Sequence, residues 1–108
     1  MKTDVIIIGA GPGGYETAHY AAIRGLSVTI FEAGELGGTC LNRGCIPTKT
    51  LCKNAEVLNH LKEAAEFGIN DVAFSIDFAK MIERKNNVVA QLREGVAMAL
   101  KHPNITLV

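Results

Sequence analysis

The sequence predicts an α/β fold built on a parallel sheet, and three features of the first third of the chain support this class. Residues 5–8 are a short β-branched run that ends at a glycine-rich turn, residues 9–14. A helix-like stretch and a second β-branched run follow, and strand, turn, helix and strand over about thirty residues form one βαβ unit. We therefore predict a Rossmann-like parallel sheet that begins with a βαβ unit.

The first strand, residues 5–8, shows no alternation of apolar and polar residues. Such a run is typical of a strand covered on both faces, as in the middle of a parallel sheet. A helix is predicted over residues 12–24, since Pro12 suits its first turn and Gly25 follows where it would stop. Residues 27–31 are then the second strand.

Two more helices and a third strand are predicted after a loop at residues 33–45. The first helix starts near Pro47 and runs to about Glu66, and the second is capped by Asp77 and closed by Pro103. Residues 104–108 resemble a strand. The predicted buried residues of the first helix are Leu51, Cys52, Ala55, Leu58, Leu61 and Ala65, and those of the second are Phe78, Met81, Ile82, Val89, Leu92, Val96 and Leu100.

Composition excludes several classes of partner. The 108 residues are about the size of one domain, and 11 basic residues balance 11 acidic ones. This balance argues against binding to nucleic acid or to an anionic membrane surface. No apolar run approaches the roughly 20 residues of a membrane span, and Met1 to Asp4 lead directly into a strand rather than a signal peptide. Three cysteines in such a chain argue against a disulfide framework and leave reactive chemistry or metal ligation as alternatives, and we predict a cytoplasmic location.

The glycine turn has the spacing of a dinucleotide-binding fingerprint. Gly9 permits the tight turn, Gly11 lets the backbone approach a pyrophosphate, and Gly14 allows close packing of helix on strand. Glu32, at the end of the second strand, is placed to bind ribose hydroxyls. Its carboxylate would repel a 2′-phosphate, which favours FAD or NAD over NADP. The alternative is a glycine turn that binds no ligand.

Cys40 and Cys45 lie immediately before the helix that starts near Pro47, and we interpret them as an electron relay that closes into a disulfide and reopens. The N-terminal end of a helix stabilises a thiolate, and Lys49 could add positive charge or reach a cofactor. Zinc would need more ligands than these two thiols provide, so no metal site is predicted. A purely structural cross-link is a weaker alternative, since so short a loop contributes only about 2 kcal/mol.

Residues 37–49, GGTCLNRGCIPTK, resemble the redox-active segment of the flavin-dependent pyridine nucleotide-disulfide oxidoreductases. Within that family they are most similar to the dihydrolipoamide dehydrogenase branch, and glutathione and mercuric reductases are the alternatives. The resemblance implies that Cys40 exchanges with a dithiol, such as a lipoyl group on a carrier domain, and that Cys45 contacts the flavin. The residues implied to bind FAD are Gly9, Gly11, Pro12, Gly14, Glu32, Ala33, Gly38, Thr39 and Lys49.

The resemblance also implies an organisation larger than 108 residues. Residues 1–108 would be the N-terminal part of an FAD-binding domain, and the NAD-binding and dimerisation domains of a homodimeric parent protein would lie elsewhere. We therefore expect these residues alone to lack NAD-linked lipoamide turnover. A non-enzymatic flavin-binding or thiol-sensing module is a further alternative.

Overall fold

The computed structural model describes residues 2–108, which form three strands and four α-helices. The strands are β1 (Val5–Ile8), β2 (Val28–Phe31) and β3 (Ile105–Leu107), and the helices are α1 (Pro12–Ala22), α2 (Gly38–Arg43), α3 (Cys45–Lys62) and α4 (Phe78–Ala99). A short 3-10 helix, Ala64–Phe67, follows α3. The order of elements confirms the predicted α/β class. None of these helices is long and apolar enough to cross a membrane.

The strands form one parallel sheet in the order β1-β2-β3. Val5 pairs with Val28, and Val28 pairs on its other side with Ile105. Parallel neighbours require crossover connections, which α1 provides between the first two strands and α2 to α4 provide between the last two. The carboxyl ends of β1 and β2 therefore meet at the same edge of the sheet, and the predicted nucleotide residues follow directly from both ends.

The prediction that β1 is covered on both faces is wrong. Val5 and Ile7 pack against the core, whereas Ile6 is 63% exposed and Ile8 is 89% exposed. The strand also lies at an edge of the described sheet, not in its middle. A β-branched run indicates that a strand forms. The number of its faces that are covered depends on elements distant in sequence.

The hydrophobic core lies between the sheet, α1 and α4. The most buried members from these elements, with Leu100 just after α4, are Ala18, Ala22, Val28, Ile30, Val89, Val96 and Leu100. Small alanine side chains on α1 let this helix approach the sheet closely. The apolar side predicted for α4 is confirmed at Val89, Val96 and Leu100, but Phe78 and Leu92 are exposed.

The helix α3 projects away from the sheet and packs mainly on α2 and α4. The molecule is consequently elongated, with extents of 67 × 25 × 17 Å. The predicted stripe is therefore only half-buried at Leu51 and Leu58, and the prediction is wrong at Cys52, Ala55, Leu61 and Ala65, all exposed. Two helices that touch along one narrow line bury fewer positions than a helix that lies on a sheet.

The segments that precede α3 and α4 follow the sequence prediction to different degrees. Residues 33–45 are not entirely a loop, because α2 forms within them and carries Cys40. The predicted cap of α4 is confirmed, because Asp77 accepts a hydrogen bond from the backbone N–H of Lys80 at 3.1 Å. The unpredicted α2 gives the first cysteine a helical backbone.

Candidate functional site

The glycine turn after β1 leads directly into α1, as predicted. The Gly9 N–H donates to the carbonyl oxygen of Phe31 at 2.7 Å, which ties the turn to β2. Pro12 occupies the start of α1, and this end of the helix has neither a side-chain cap nor an acidic residue in its first turn. Its N–H groups and the positive end of the helix dipole are therefore available to an anion such as a pyrophosphate.

Gly14 packs directly on the turn that precedes its own helix. A Cβ atom built at Gly14 would overlap the carbonyl oxygen of Gly9 and lie 3.0 Å from the carbonyl carbon. Real Cβ atoms do not occupy such positions, so a side chain here would push α1 away from the end of β1. The close packing predicted from the glycine spacing is present.

A second glycine segment packs on the first one. The N–H of Gly37 donates to the carbonyl oxygen of Ala10 at 2.8 Å, and a Cβ atom on Gly38 would lie 2.8 Å from the Cα of Gly11. Gly38 also has a φ of +72°, a left-handed conformation that glycine adopts without strain. The two backbones thus meet with no side chain between them. Sequence reasoning selected Gly38 but missed Gly37, although the Gly-Gly dipeptide was the available signal.

Glu32 follows β2 and binds both backbone segments of the site. Its Oε2 accepts from the Ala10 N–H at 2.7 Å, and its Oε1 accepts from the Gly34 N–H at 2.8 Å. These two bonds hold the pKa of the Glu32 carboxyl below its usual value, and the Ala10 bond contributes more than the Gly34 bond. Glu32 is therefore ionised near neutral pH, and an ionised carboxylate has lone pairs left for two hydroxyl groups. The adjacent Ala33 is exposed.

A small cavity of about 190 Å³ brings part of the predicted set together. Glu32, Gly38 and Thr39 all line it, together with Asn42 and Arg43. The turn around Gly11 adjoins this cavity through its contact with Gly38. The carboxylate, the glycine contact and the start of α2 therefore form one concave surface at the carboxyl edge of the sheet.

The two hydrogen bonds of Glu32 predict an acid-sensitive contribution to stability. Because the folded-state pKa is below the usual 4.5, ionised Glu32 stabilises the fold above that pH, and this contribution is lost as the pH falls through the folded-state value. We expect Glu32→Gln to lower the free energy of unfolding at pH 7, since the amide keeps one acceptor oxygen and its NH₂ cannot accept the second N–H. The difference from wild type should shrink as the pH falls below the usual 4.5 and through the lowered folded-state pKa.

Urea unfolding of both proteins from pH 7 to pH 3 measures this difference. Glu16→Gln is the matched control, because Glu16 is exposed on α1 and accepts no hydrogen bond from residues 2–108. A Glu32→Gln penalty of constant size across the whole range would contradict the assignment of the two bonds to the ionised carboxylate.

Cys40 and Cys45 form a disulfide in the structure. Cys40 lies on α2, Cys45 is the first residue of α3, and Gly44 separates the two helices, so that the Cα atoms are 4.7 Å apart. The hypothesis that this pair can close is thereby confirmed. Cys45 lies at the N-terminal end of an 18-residue helix, where the helix dipole favours a thiolate once the bond opens.

The cystine adjoins the glycine contact. Cys40 lines a second cavity, of about 400 Å³, together with Pro12, Gly37 and apolar residues of α4. Lys49 is exposed on α3, one turn beyond Cys45, and lines neither cavity. Residues 2–108 contain no group of three or more His, Cys, Asp or Glu side chains placed to hold a metal ion.

Two residues that sequence reasoning did not select connect the cysteine segment to α4. The Nε and Nη2 atoms of Arg93 donate to the Oδ1 of Asn42 at 3.0 and 2.7 Å. Asn42 lies between the two cysteines, which was an available signal for its importance. The sequence around Arg93 gave no signal of a functional role, because an arginine on an amphipathic helix is usually solvated.

A glycine-lined turn at the carboxyl edge of a parallel sheet, with a helix-borne cystine beside it, is the arrangement expected of a flavoprotein disulfide reductase. The family description "Pyridine nucleotide-disulphide oxidoreductase" matches residues 3–108. The chain belongs to this family. Its resemblance through residues 37–49 is therefore confirmed at the level of the family.

Curated relatives refine the comparison. A dihydrolipoyl dehydrogenase of Chlamydia muridarum is 46% identical over 104 residues, which are 96% of this chain and 22% of the relative. A dihydrolipoyl dehydrogenase of Bacillus subtilis is 49% identical over 104 residues, 94% of this chain and 23% of the relative. The chain thus spans between a fifth and a quarter of the length of these two relatives.

A solved structure supports the same placement. The Cu(II) complex of the HOCl-induced flavoprotein disulfide reductase RclA from Escherichia coli superimposes with a TM-score of 0.76 at 36% identity. The match covers 97% of this chain and 21% of that one. The fold of residues 2–108 is therefore found in a flavoprotein disulfide reductase.

Proposed function

We propose that this chain provides the FAD-binding turn and the redox cystine of a flavin-dependent dithiol-disulfide oxidoreductase. The observation that carries the proposal is the Cys40–Cys45 disulfide beside the contact of Gly11 with Gly38. A structural cross-link would need no glycine-lined concave surface next to it. The position of the pair at a helix N-terminus, adjoining that surface, favours a redox role.

The residues present fit the ADP part of FAD. The uncapped N-terminus of α1 would hold the pyrophosphate, with Gly9, Gly11, Pro12 and Gly14 shaping the turn. Ionised Glu32 would accept the ribose hydroxyls. The residues proposed to complete the site are Ala33, Gly38, Thr39 and Lys49. When bound, FAD would supply a two-electron acceptor for the cysteine pair and a donor for a nicotinamide.

The two cysteines perform the thiol chemistry. A substrate thiolate attacks the Sγ of Cys40, the Cys40–Cys45 bond breaks, and a mixed disulfide forms while Cys45 leaves as a thiolate. The second substrate thiol then attacks the mixed disulfide, so the substrate leaves as a disulfide and both cysteines are reduced. The protein gains the two electrons that the dithiol loses, and the two thiol protons are shared between the reduced cysteines and solvent. The choice of Cys40 as the exchanging sulfur follows the family resemblance.

The finer assignment is to a dihydrolipoamide dehydrogenase that uses NAD. It is supported by the names of the relatives from Chlamydia muridarum and Bacillus subtilis. We propose a lipoyl group on a carrier domain as the substrate, a homodimeric parent protein, and residues 1–108 as the N-terminal part of its FAD-binding domain. The cytoplasmic location stays a prediction.

Substitution at Gly11 tests the nucleotide site without disturbing the fold. Its φ of −77° is open to any residue, and a Cβ there would lie 3.7 Å from the Cα of Gly38, an ordinary contact. We expect Gly11→Ala to keep the stability of wild type but to lower FAD affinity by about tenfold or more, because the methyl group blocks approach to the backbone.

Fluorescence titration with FAD, together with urea unfolding, measures both quantities. Gly13→Ala is the matched control, since a Cβ at Gly13 meets no atom within 4 Å and the residue lies outside the proposed set. A wild-type protein that binds no FAD, or equal affinities for wild type and Gly11→Ala, would overturn the proposed site. Preferential reduction of the cystine by glutathione over dihydrolipoamide would instead favour a glutathione reductase-like member.

A further inference from the structure

The side chain of Asn42 has all four of its hydrogen-bonding positions filled. Its Nδ2 donates to the carbonyl oxygens of Leu36 and Gly38, at 3.0 and 2.9 Å. Its Oδ1 accepts the two bonds from Arg93, at 3.0 and 2.7 Å. An arginine can only donate and a carbonyl can only accept, so this amide has one possible orientation. Asn42 is therefore fixed between the cysteine segment and α4.

In the part of the chain that the structure describes, Asn42 makes the only side-chain hydrogen bonds of α2. The helix α2 has six residues and no side-chain cap, and isolated helices of that length are unstable in water. Buried Leu41, the backbone contact of Gly38 with Gly11 and packing on α3 and α4 supply its apolar and backbone support, and Asn42 supplies its side-chain hydrogen bonds. Within residues 2–108, Arg93 makes the only side-chain hydrogen bonds that join α4 to α2. The side-chain hydrogen bonds between α4 and α2 therefore all come from the guanidinium group of Arg93.

We infer that Arg93 is a positioning residue for the redox pair, acting through Asn42 to keep the two sulfurs in position when the disulfide is open. This inference rests on the proposed redox function of Cys40 and Cys45. In the oxidised protein the S–S bond itself restrains the segment. In the dithiol form only non-covalent contacts can do so, and the bidentate bonds to Asn42 are the strongest polar candidates.

The consequence is a shift in the thiol-disulfide equilibrium. Without the guanidinium bonds the dithiol form gains conformational freedom, while the closed form gains less, because its bond already limits the loop. The equilibrium constant for closing should therefore fall. The Nε of Arg93 also lies 3.3 Å from the Oε2 of Glu35. The Glu35 side chain is 64% exposed, and so exposed an ion pair contributes little to stability.

Equilibration of the protein with glutathione buffers measures this constant directly. In that reaction two glutathione thiols become one glutathione disulfide, and their two electrons and two protons convert the Cys40–Cys45 bond into two thiols. Alkylation and mass spectrometry count the thiols at each buffer ratio, in proteins that all carry Cys52→Ser because Cys52 is exposed and free. We expect Arg93→Met and Arg93→Lys each to lower the closing constant by about tenfold, equivalent to a midpoint potential about 30 mV higher.

Three comparisons make the result specific. Arg84→Met is the matched control, since Arg84 lies on the same helix but donates to Thr50 and Asn54 of α3, and its closing constant should equal that of wild type. Arg93→Lys keeps the positive charge but not the planar fork, so a shift in it separates the bonds from the charge. In an Asn42→Ala background, Arg93→Met should cause no further shift.

A closing constant equal to that of wild type in both Arg93 variants would overturn the inference. So would a wild-type closing constant for Arg93→Lys together with a lowered one for Arg93→Met. Additive shifts of Asn42→Ala and Arg93→Met would also overturn it. Circular dichroism identifies a variant that is unfolded. In that case the closing constant of the other Arg93 variant tests the inference. A wild-type disulfide that does not equilibrate with glutathione at any ratio would be a failure of the proposed function, which is a different outcome.

Discussion

Replacing Cys45 with serine should abolish disulfide closure and leave Cys40 trapped with whatever it exchanges with. In the wild-type dithiol, the Cys40 thiolate attacks glutathione disulfide, and Cys45 then displaces glutathione from the mixed disulfide. Without Cys45 the second step has no nucleophile. We expect one stable glutathione adduct on Cys40 in Cys45→Ser, and none in the protein that keeps both thiols.

Mass spectrometry of the reduced proteins after exposure to glutathione disulfide measures the adduct. Cys52 is exposed and would form its own adduct, so all variants carry Cys52→Ser, and Cys52→Ser alone is the matched control. Loss of the cross-link should also lower the free energy of unfolding by about 2 kcal/mol, from the chain entropy of so short a loop. An adduct-free Cys45→Ser protein that still reacts with other disulfides would contradict the assigned pairing.

Gly14→Ala should cause the largest loss of stability of any single methyl addition in the glycine turn. The new Cβ would overlap the carbonyl oxygen of Gly9, an atom of the backbone that cannot rotate away. Overpacking of this kind costs about 1–3 kcal/mol or more, and we expect the upper part of that range. Since α1 would move from the end of β1, FAD affinity should fall as well.

Urea unfolding compares this variant with Gly13→Ala, which lies one residue earlier on the same helix. A Cβ at Gly13 meets nothing within 4 Å, and alanine favours a helix over glycine by up to about 1 kcal/mol. The two variants differ only in where the methyl group points. Equal stabilities for Gly13→Ala and Gly14→Ala would show that the turn does not need the close packing described above.

The parts of the site that depend on local backbone geometry could be predicted from the sequence. A glycine spacing fixes where a turn and a helix can approach each other, and the end of β2 places Glu32 beside that turn. The spacing of Cys40 and Cys45 likewise restricts where their sulfurs can meet. These features involve residues close in sequence or strands that are direct neighbours.

The parts that depend on distant elements could not be predicted. The apolar stripe of α3 was expected to be buried, but its burial depends on how far that helix extends beyond the sheet. Cys52 is exposed for the same reason. Arg93 meets Asn42 across 51 positions, and only the packing of α4 on α2 brings them together. Hydrophobic periodicity identifies the face of a helix but not the element that covers it.

Under the proposed function, the cysteine pair and a bound flavin form one redox unit. The most direct test is the visible absorption spectrum of the FAD-loaded protein during anaerobic titration with dihydrolipoamide. We expect the flavin spectrum to change as the Cys40–Cys45 bond opens, and Cys45→Ser to remove this change while FAD remains bound. A flavin spectrum that stays constant while both cysteines become reduced would contradict it.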